Sequence, residues 1–186
     1  MKQFLASLLL FLCLALGLPS LASGQKMYAV AIGGGAAIPV GKLSDTQETG
    51  YNAIVAIAIG VADLPFGLRL DGIYNDLGRN TSSVPSGSGG ANSNLRVIGG
   101  LANLVYAFPG TTAKPYLLAG AGIYNVKAKD AGTKARKDFG FNAGLGATFG
   151  FGPLAMFLES RYHSVSRDTA NGGVFQFVPV TVGLMF

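Results

Sequence analysis

The sequence is poor in cysteine, tryptophan and charge. Its single cysteine, Cys13, lies in an apolar run near the start, and there is no tryptophan. Disulfides and thiol chemistry therefore cannot organise the rest of the chain. Charged residues make up 12% of the chain, whereas soluble domains average about 25%. The net charge of +5 is not gathered into a dense basic cluster, and we expect no nucleic-acid partner.

A long hydrophobic run is also missing beyond the first residues. A membrane-spanning helix needs about 20 apolar residues in succession, and no segment after Leu18 approaches that length. Before it, Met1-Lys2, the apolar run Phe4–Leu18 and the small residues Ala22-Ser23-Gly24 follow the pattern of a secretory signal peptide. We predict a signal peptide over residues 1–24 and one domain over residues 25–186. An uncleaved membrane anchor is the alternative.

What the chain has instead is glycine, at 28 positions, and strict alternation of apolar with small residues. The clearest case is Phe139–Phe151 (FGFNAGLGATFGF), in which every second residue is apolar and the others are small or polar. Side chains of a β-strand alternate between two faces. A water-exposed glycine row would be unusual in a soluble protein, so the apolar face is predicted to meet lipid and the small face a narrow lumen. Strands of about 10 residues with this alternation are typical of transmembrane β-barrels.

The same pattern predicts eight strands and hence an all-β, eight-stranded antiparallel up-and-down transmembrane β-barrel. The predicted strands are Met27–Val40, Tyr51–Val61, Phe66–Asn75, Leu95–Phe108, Pro115–Lys127, Phe139–Phe151, Leu154–His163 and Val174–Phe186. Short connections alternate with long polar ones, as in outer-membrane barrels with short periplasmic turns and long external loops. An even strand count then places both termini in the periplasm.

Two strands have ambiguous faces. In the fourth, placing Arg96 inside the barrel would turn Leu104 inward and Asn103 toward lipid, so we predict a β-bulge at Gly99-Gly100 that switches the faces. In the fifth, Tyr116 and Tyr124 are predicted to face lipid with Leu118 and Val126, and Asn125 and Lys127 to face the lumen.

A polar cluster is predicted inside the barrel, because Arg or Lys at the bilayer centre of the lipid face costs about 2–4 kcal/mol. Buried charges must be paired, and an eight-stranded barrel is just wide enough for its own side chains to fill. We interpret the cluster as a structural network that fills the lumen; rearrangement that gates a small pore is the alternative. The predicted members are Arg69, Asp71, Arg96, Asn125, Asn142, Glu159, Arg161 and His163.

Three features carry a resemblance to a known family: the segment Gly120–Asn125 (GAGIYN), Glu159-x-Arg161-Tyr162-His163 near the end, and the final Phe186. With the alternating strands, they resemble the small OmpA/OmpX-like outer-membrane β-barrel proteins over nearly the whole chain after residue 24. The resemblance implies a filled eight-stranded barrel in the Gram-negative outer membrane. It also implies no catalytic residues, and that the assembly machinery reads Phe186 as its signal.

We therefore expect an integral outer-membrane barrel with a structural or surface-interaction role, such as membrane integrity or adhesion, and no enzymatic activity, cofactor or metal. The expected partners are outer-membrane lipids, lipopolysaccharide and the barrel-assembly machinery, and the expected state is a monomer. Three different functions stay open: a narrow pore for ions or small solutes, a lipid A-modifying hydrolase, and a soluble lipocalin-like carrier. The hydrolase would need a serine two positions from His163 on the same strand face, but that position is Val165. Ser164 and Ser166 fall on the opposite face unless the strand bulges there.

Overall fold

The structure is a computed structural model, which describes residues 28–60, 64–79, 94–128, 136–151, 154–167 and 173–186. The predicted signal peptide and most of the connection between the third and fourth predicted strands lie outside these ranges. Eight strands follow one another in the described residues, with one short 3₁₀ turn, Gly41–Leu43, after the first. They are β1 Tyr28–Val40, β2 Gln47–Gly60, β3 Phe66–Arg79, β4 Leu95–Ala107, β5 Ala113–Ala128, β6 Arg136–Phe151, β7 Leu154–Val165 and β8 Phe175–Met185.

The strands form one closed barrel in which each pairs with its sequence neighbours and β8 pairs with β1. All eight pairings are antiparallel. Two main-chain hydrogen bonds between Val30 and Phe186, at 2.9 and 3.0 Å, continue the β1–β8 ladder to the last residue. The predicted eight-stranded up-and-down barrel is thus confirmed. No helix in the described ranges is both long enough and apolar enough to cross a membrane.

The barrel has an apolar exterior and a polar interior. Leu145 is 62% exposed, Phe141 58% and Leu104 57% on the outside, whereas Arg69 and Arg161 are each 3% exposed inside. A soluble barrel would have the reverse arrangement, because exposing this much large apolar surface to water is unfavourable. Outward aromatic residues lie near both ends of the strands, as in the interfacial girdles of membrane barrels. They include Tyr28, Tyr51, Phe66, Tyr106, Phe139, Phe151 and Tyr162.

Several strands run beyond the predicted ends on the side of the long connections, which we call the long-loop end; the opposite side is the short-turn end. β3 reaches Arg79 rather than Asn75, and β6 begins at Arg136 rather than Phe139. The added residues are mostly polar. The ladder continues there because main-chain hydrogen bonds satisfy backbone groups outside the lipid as well as within it.

The predicted bulge in β4 is wrong. Its register with β3 and β5 is continuous through Gly99 and Gly100. Val97, Leu101 and Asn103 are buried inside, so the even-numbered residues of the strand, Arg96 among them, belong to the outer face.

The predicted faces of β5 are also wrong. Tyr116, Leu118, Tyr124 and Val126 are buried inside, and Leu117 is 49% exposed outside. Asn125 and Lys127 therefore belong to the outer face. The two tyrosines enter the lumen because their hydroxyl groups find polar partners there.

Candidate functional site: the polar lumen

Four charged side chains meet in the middle of the lumen from opposite walls. Arg69 and Asp71 stand two residues apart on β3, and Glu159 and Arg161 stand two residues apart on β7. In an eight-stranded closed barrel β3 and β7 are diametrically opposed, since three strands separate them on either side. The period of two directs both members of each pair inward. We call these four residues the charged ring.

Charges of opposite sign alternate around the charged ring. Arg69 Nη2 donates to Glu159 Oε1 at 2.9 Å and lies 2.8 Å from Oε2. Arg161 Nη1 donates to Asp71 Oδ2 at 2.6 Å, and Arg161 Nε donates to Glu159 Oε1. Within β3, Arg69 Nη2 donates to Asp71 Oδ2 at 3.4 Å, and Arg69 Nε lies 3.0 Å from Asp71 Oδ1 without forming a hydrogen bond. Two cations and two anions make the group neutral, as a buried set of charges must be to avoid a large desolvation cost.

Two neutral side chains from the wall between β3 and β7 complete the network. Asn103 on β4 donates to Asp71 Oδ2 at 2.7 Å, and the Tyr116 hydroxyl on β5 donates to Glu159 Oε2 at 2.7 Å. Hydrogen bonds to charged groups are stronger than neutral ones. The predicted bulge placed Asn103 inside, although it was not among the predicted members of the cluster, whereas Tyr116 was expected to face lipid. A usable signal was Gly146, directly opposite Tyr116 on β6, because any Cβ there would collide with the tyrosine ring.

A second layer lies nearer the long-loop end, around His163. The His163 ring is 1% exposed and stacks on Phe177, with ring centroids 4.7 Å apart and planes 10° apart. Its Nδ1 atom lies 2.9 Å from the Tyr124 hydroxyl. Asn142, 4% exposed, stands directly opposite His163 on β6.

The lumen on the short-turn side of the charged ring is occupied by Phe157. This side chain is 2% exposed. A Cβ at Gly33 would lie 2.8 Å from the Phe157 ring, and one at Gly183 would also collide with it. Glycine is therefore required at both positions for the aromatic ring to lie across the lumen. Asn52 lines a different part of the lumen, with Arg161 and His163, and donates to the carbonyls of Ala36 at 2.8 Å and of Val180 at 3.2 Å.

Two predicted members of the lumen network are located elsewhere. Arg96 and Asn125 belong to the outer face at the long-loop end, where the guanidinium carbon of Arg96 lies 5.7 Å from the centroid of the Tyr74 ring. The expectation that Arg96 points inward used the cost of a charge at the bilayer centre. That cost falls to about 0–1 kcal/mol near the interfaces, and Arg96 is the second residue of its strand. The other six predicted residues lie inside the barrel.

The arrangement around His163 does not form a serine–histidine pair. The pairing of β6 with β7 is continuous through Val165, so Ser164 faces away from His163, and the Nδ1 atom of the imidazole already faces Tyr124. Among the described residues, no cluster of three or more His, Cys, Asp and Glu side chains could hold a metal ion. The expectation of no cofactor and no catalysis stays a prediction.

Comparison with known proteins gives one family and several similar structures. Residues 6–186 match the family described as "Outer membrane protein beta-barrel domain". No curated protein sequence matches the chain.

Three solved structures illustrate the likeness of fold. Neisserial surface protein A has a TM-score of 0.61 at 17% identity, covering 88% of this chain and 98% of that one. A major outer membrane protein from Thermus thermophilus has 0.51 at 12%, covering 86% and 98%. Ail, an outer membrane protein from Yersinia pestis, has 0.50 at 16%, covering 87% and 100%. At these identities the likeness concerns the fold alone.

Proposed function

This chain belongs to the outer membrane protein beta-barrel domain family, and we propose that it is a non-enzymatic barrel of the Gram-negative outer membrane whose lumen is closed. Its role is structural or surface-binding: it adds to membrane integrity or presents its long loops to other surfaces. Both termini lie in the periplasm and the long loops outside. The alternation of short and long connections supports this orientation.

The charged ring is the observation that carries the closed lumen. It joins opposite walls through ion pairs of 2.6 and 2.8 Å, and Phe157 fills the space on its short-turn side. A water-filled path would need a gap beside these side chains. The lumen cavity near the ring, lined by Asn75, Arg161 and His163 among others, has a volume of only about 10 Å³. That is at the lower limit for one water molecule.

Planar-bilayer recording tests the closed lumen. The unmodified protein is expected to show no steady conductance. The double variant Glu159→Ala with Arg161→Ala removes both charged-ring residues of β7, whose charges cancel, and leaves Arg69 paired with Asp71. This variant should show a measurable conductance. Leu158→Ala is the matched control, because Leu158 lies on the same strand but faces lipid. Steady, pH-sensitive conductance of the unmodified protein would instead establish the narrow pore.

The narrow pore is kept as the second candidate because of unsatisfied polar atoms in the lumen. Within the described residues, Asn75 Nδ2, Arg161 Nη2 and both amide atoms of Asn142 are buried without a hydrogen-bond partner. Such groups usually bind ordered water. Water on the long-loop side of the charged ring is the start of a permeation path, but the charged ring and Phe157 block the rest of the lumen.

The hydrolase and the soluble carrier each have a separate test. If the protein were a lipid A-modifying hydrolase, His163→Ala would change the acylation pattern of lipid A; we expect no change. If it were a soluble carrier, fractionation would release it into buffer without detergent. We expect it in the outer membrane, with different gel mobility before and after boiling, as a closed barrel gives.

We also propose that the barrel-assembly machinery reads the C-terminal strand through Phe186. The paired main chain of Phe186 with Val30 supports this, because the residue is held as part of the closing ladder. Phe186→Ala is expected to lower the amount of assembled, heat-modifiable barrel in the membrane. Phe151→Ala, an outward aromatic residue at the same end, is the control and should assemble normally.

A further inference from the structure

A groove crosses the outer wall of the barrel at mid-height. Its volume is about 550 Å³, within the range of small-molecule sites. The floor consists of small outward residues that are neighbours across β3, β4 and β5, and the walls are branched apolar side chains. The floor residues are Gly72, Gly100, Ala102 and Ala121, and the walls include Val55, Ile57, Leu70 and Ile123.

In the groove, small outward residues are neighbours on three adjacent strands. Elsewhere on the lipid-facing surface, small residues such as Ala143 stand among large side chains such as Phe141 and Leu145. At Gly100, a Cβ would meet no atom within 4 Å, so nothing in the barrel itself requires glycine there. A depression in an apolar wall loses dispersion contacts unless something fills it, and its surroundings in a membrane are acyl chains.

Cationic side chains lie on the same strands, at the long-loop end of the groove. Arg96 on β4 and Lys127 on β5 are directly opposite each other, and both belong to the outer face. Lys137 on β6 is diagonal to Lys127, since it pairs with Asn125. Like charges directly opposite on one face are destabilising. Asp76 on β3 is directly opposite Arg96 on its other side and offsets part of this charge. The three cations still outnumber that carboxylate, so an anion between Arg96 and Lys127 would add two favourable contacts.

We propose that the outer wall over β3–β5 binds one lipopolysaccharide molecule, with an acyl chain in the groove and a lipid A phosphate between Arg96 and Lys127. The spacing fits: Arg96 precedes Gly100 by four residues, about 13 Å along a strand, and half of a bilayer core is about 15 Å. The inference rests on the proposed orientation, in which the long loops meet the outer leaflet. Basic groups near a membrane surface attract anionic lipids in the same way.

Retention of lipopolysaccharide by the purified full-length protein tests the site. Protein is extracted from lipopolysaccharide-containing outer membranes in mild detergent, and bound lipid A is counted per chain by mass spectrometry. We expect about one molecule for the unmodified protein. Arg96→Gln with Lys127→Gln should lower retention by about fivefold for each cation removed. Gly100→Leu, which has room for its side chain, should lower it by filling the groove.

The controls separate lipid binding from folding and from the proposed role. Lys114→Gln removes an exposed lysine at the short-turn end, and Ala143→Leu enlarges an outward alanine that does not line the groove; both should retain lipid. All variants should show the same boiling-dependent gel shift and no conductance, so the proposed function is judged separately. Equal retention by all variants would overturn the inference. So would retention of phosphatidylglycerol in place of lipid A, or a cross-linked dimer that Gly100→Leu abolishes.

Discussion

Replacing Glu159 with alanine is the sharpest test of the charged ring. Glu159 accepts hydrogen bonds from Arg69, Arg161 and Tyr116, so its removal leaves three donors without their acceptor and gives the ring a net charge of +1. Breaking a buried ion pair by deleting one partner costs about 3–5 kcal/mol. We therefore expect the free energy of unfolding to fall by about 4 kcal/mol, at the middle of that range.

A second variant distinguishes charge imbalance from loss of packing. Arg69→Met together with Glu159→Ala leaves Asp71 paired with Arg161 and restores neutrality. Because replacing a whole buried ion pair by apolar groups is often nearly neutral, the double variant should be more stable than Glu159→Ala alone. The two substitutions should couple by about 2 kcal/mol, within the range found for residues in one salt-bridge network.

Urea unfolding in detergent micelles measures both quantities. The chain has no tryptophan, so unfolding is followed by circular dichroism and by the gel mobility of unboiled samples. With a slope of about 2 kcal/mol per molar urea, the single variant should move the midpoint by about 2 M. The test compares the losses of unfolding free energy in Arg69→Met and Glu159→Ala with the loss in the double variant. If the two single losses add up to the double loss within about 0.5 kcal/mol, the charged ring is not a coupled unit.

Three further outcomes are expected in the same unfolding assay. Tyr116→Phe removes one hydrogen bond to Glu159 and should cost about 1–3 kcal/mol; an unchanged midpoint would mean that the contact is not formed. Gly146→Ala should destabilise the barrel because its Cβ would collide with Tyr116, whereas Gly150→Ala, with no atom within 4 Å of its Cβ, should not; equal behaviour would contradict the close packing. Leu145→Arg places a cation on the lipid face and should cost about 2–4 kcal/mol, so a loss below about 1 kcal/mol would argue against its position at the bilayer centre.

The faces of most strands could be predicted from the sequence because one face of each was unmistakable. In β6, glycine, asparagine and threonine alternate with phenylalanine, leucine and alanine, and only one orientation keeps the polar residues out of lipid. β5 lacked that contrast, since both of its faces are largely apolar. Its tyrosines face inward because of Glu159 and His163, which lie on a strand that is not adjacent to it.

The prediction for β4 failed for a different reason, which is the depth of its residues in the bilayer. The cost of exposing a charge to lipid depends on distance from the bilayer centre, and alternation alone carries no information about that distance. Arg96 is near the strand end, where a charge is tolerated on the outer face. Because Arg96 was treated as a charge at the bilayer centre, a bulge was predicted that the strand does not have. Asn103, near the middle of the strand, was the residue that should have set the faces.

The closure of the barrel through β1 and β8 has a kinetic consequence. The hydrogen bonds between Val30 and Phe186 join residues from the two ends of the described chain, so the ladder cannot close until the last strand has arrived. Until then, β1 keeps an unpaired edge that can add a strand from any nearby chain. Such long-range closure is slow compared with local hairpin formation. The interval before closure is therefore when this protein is most exposed to aggregation, and protection of the β1 edge should matter more for its yield than the stability of the finished barrel.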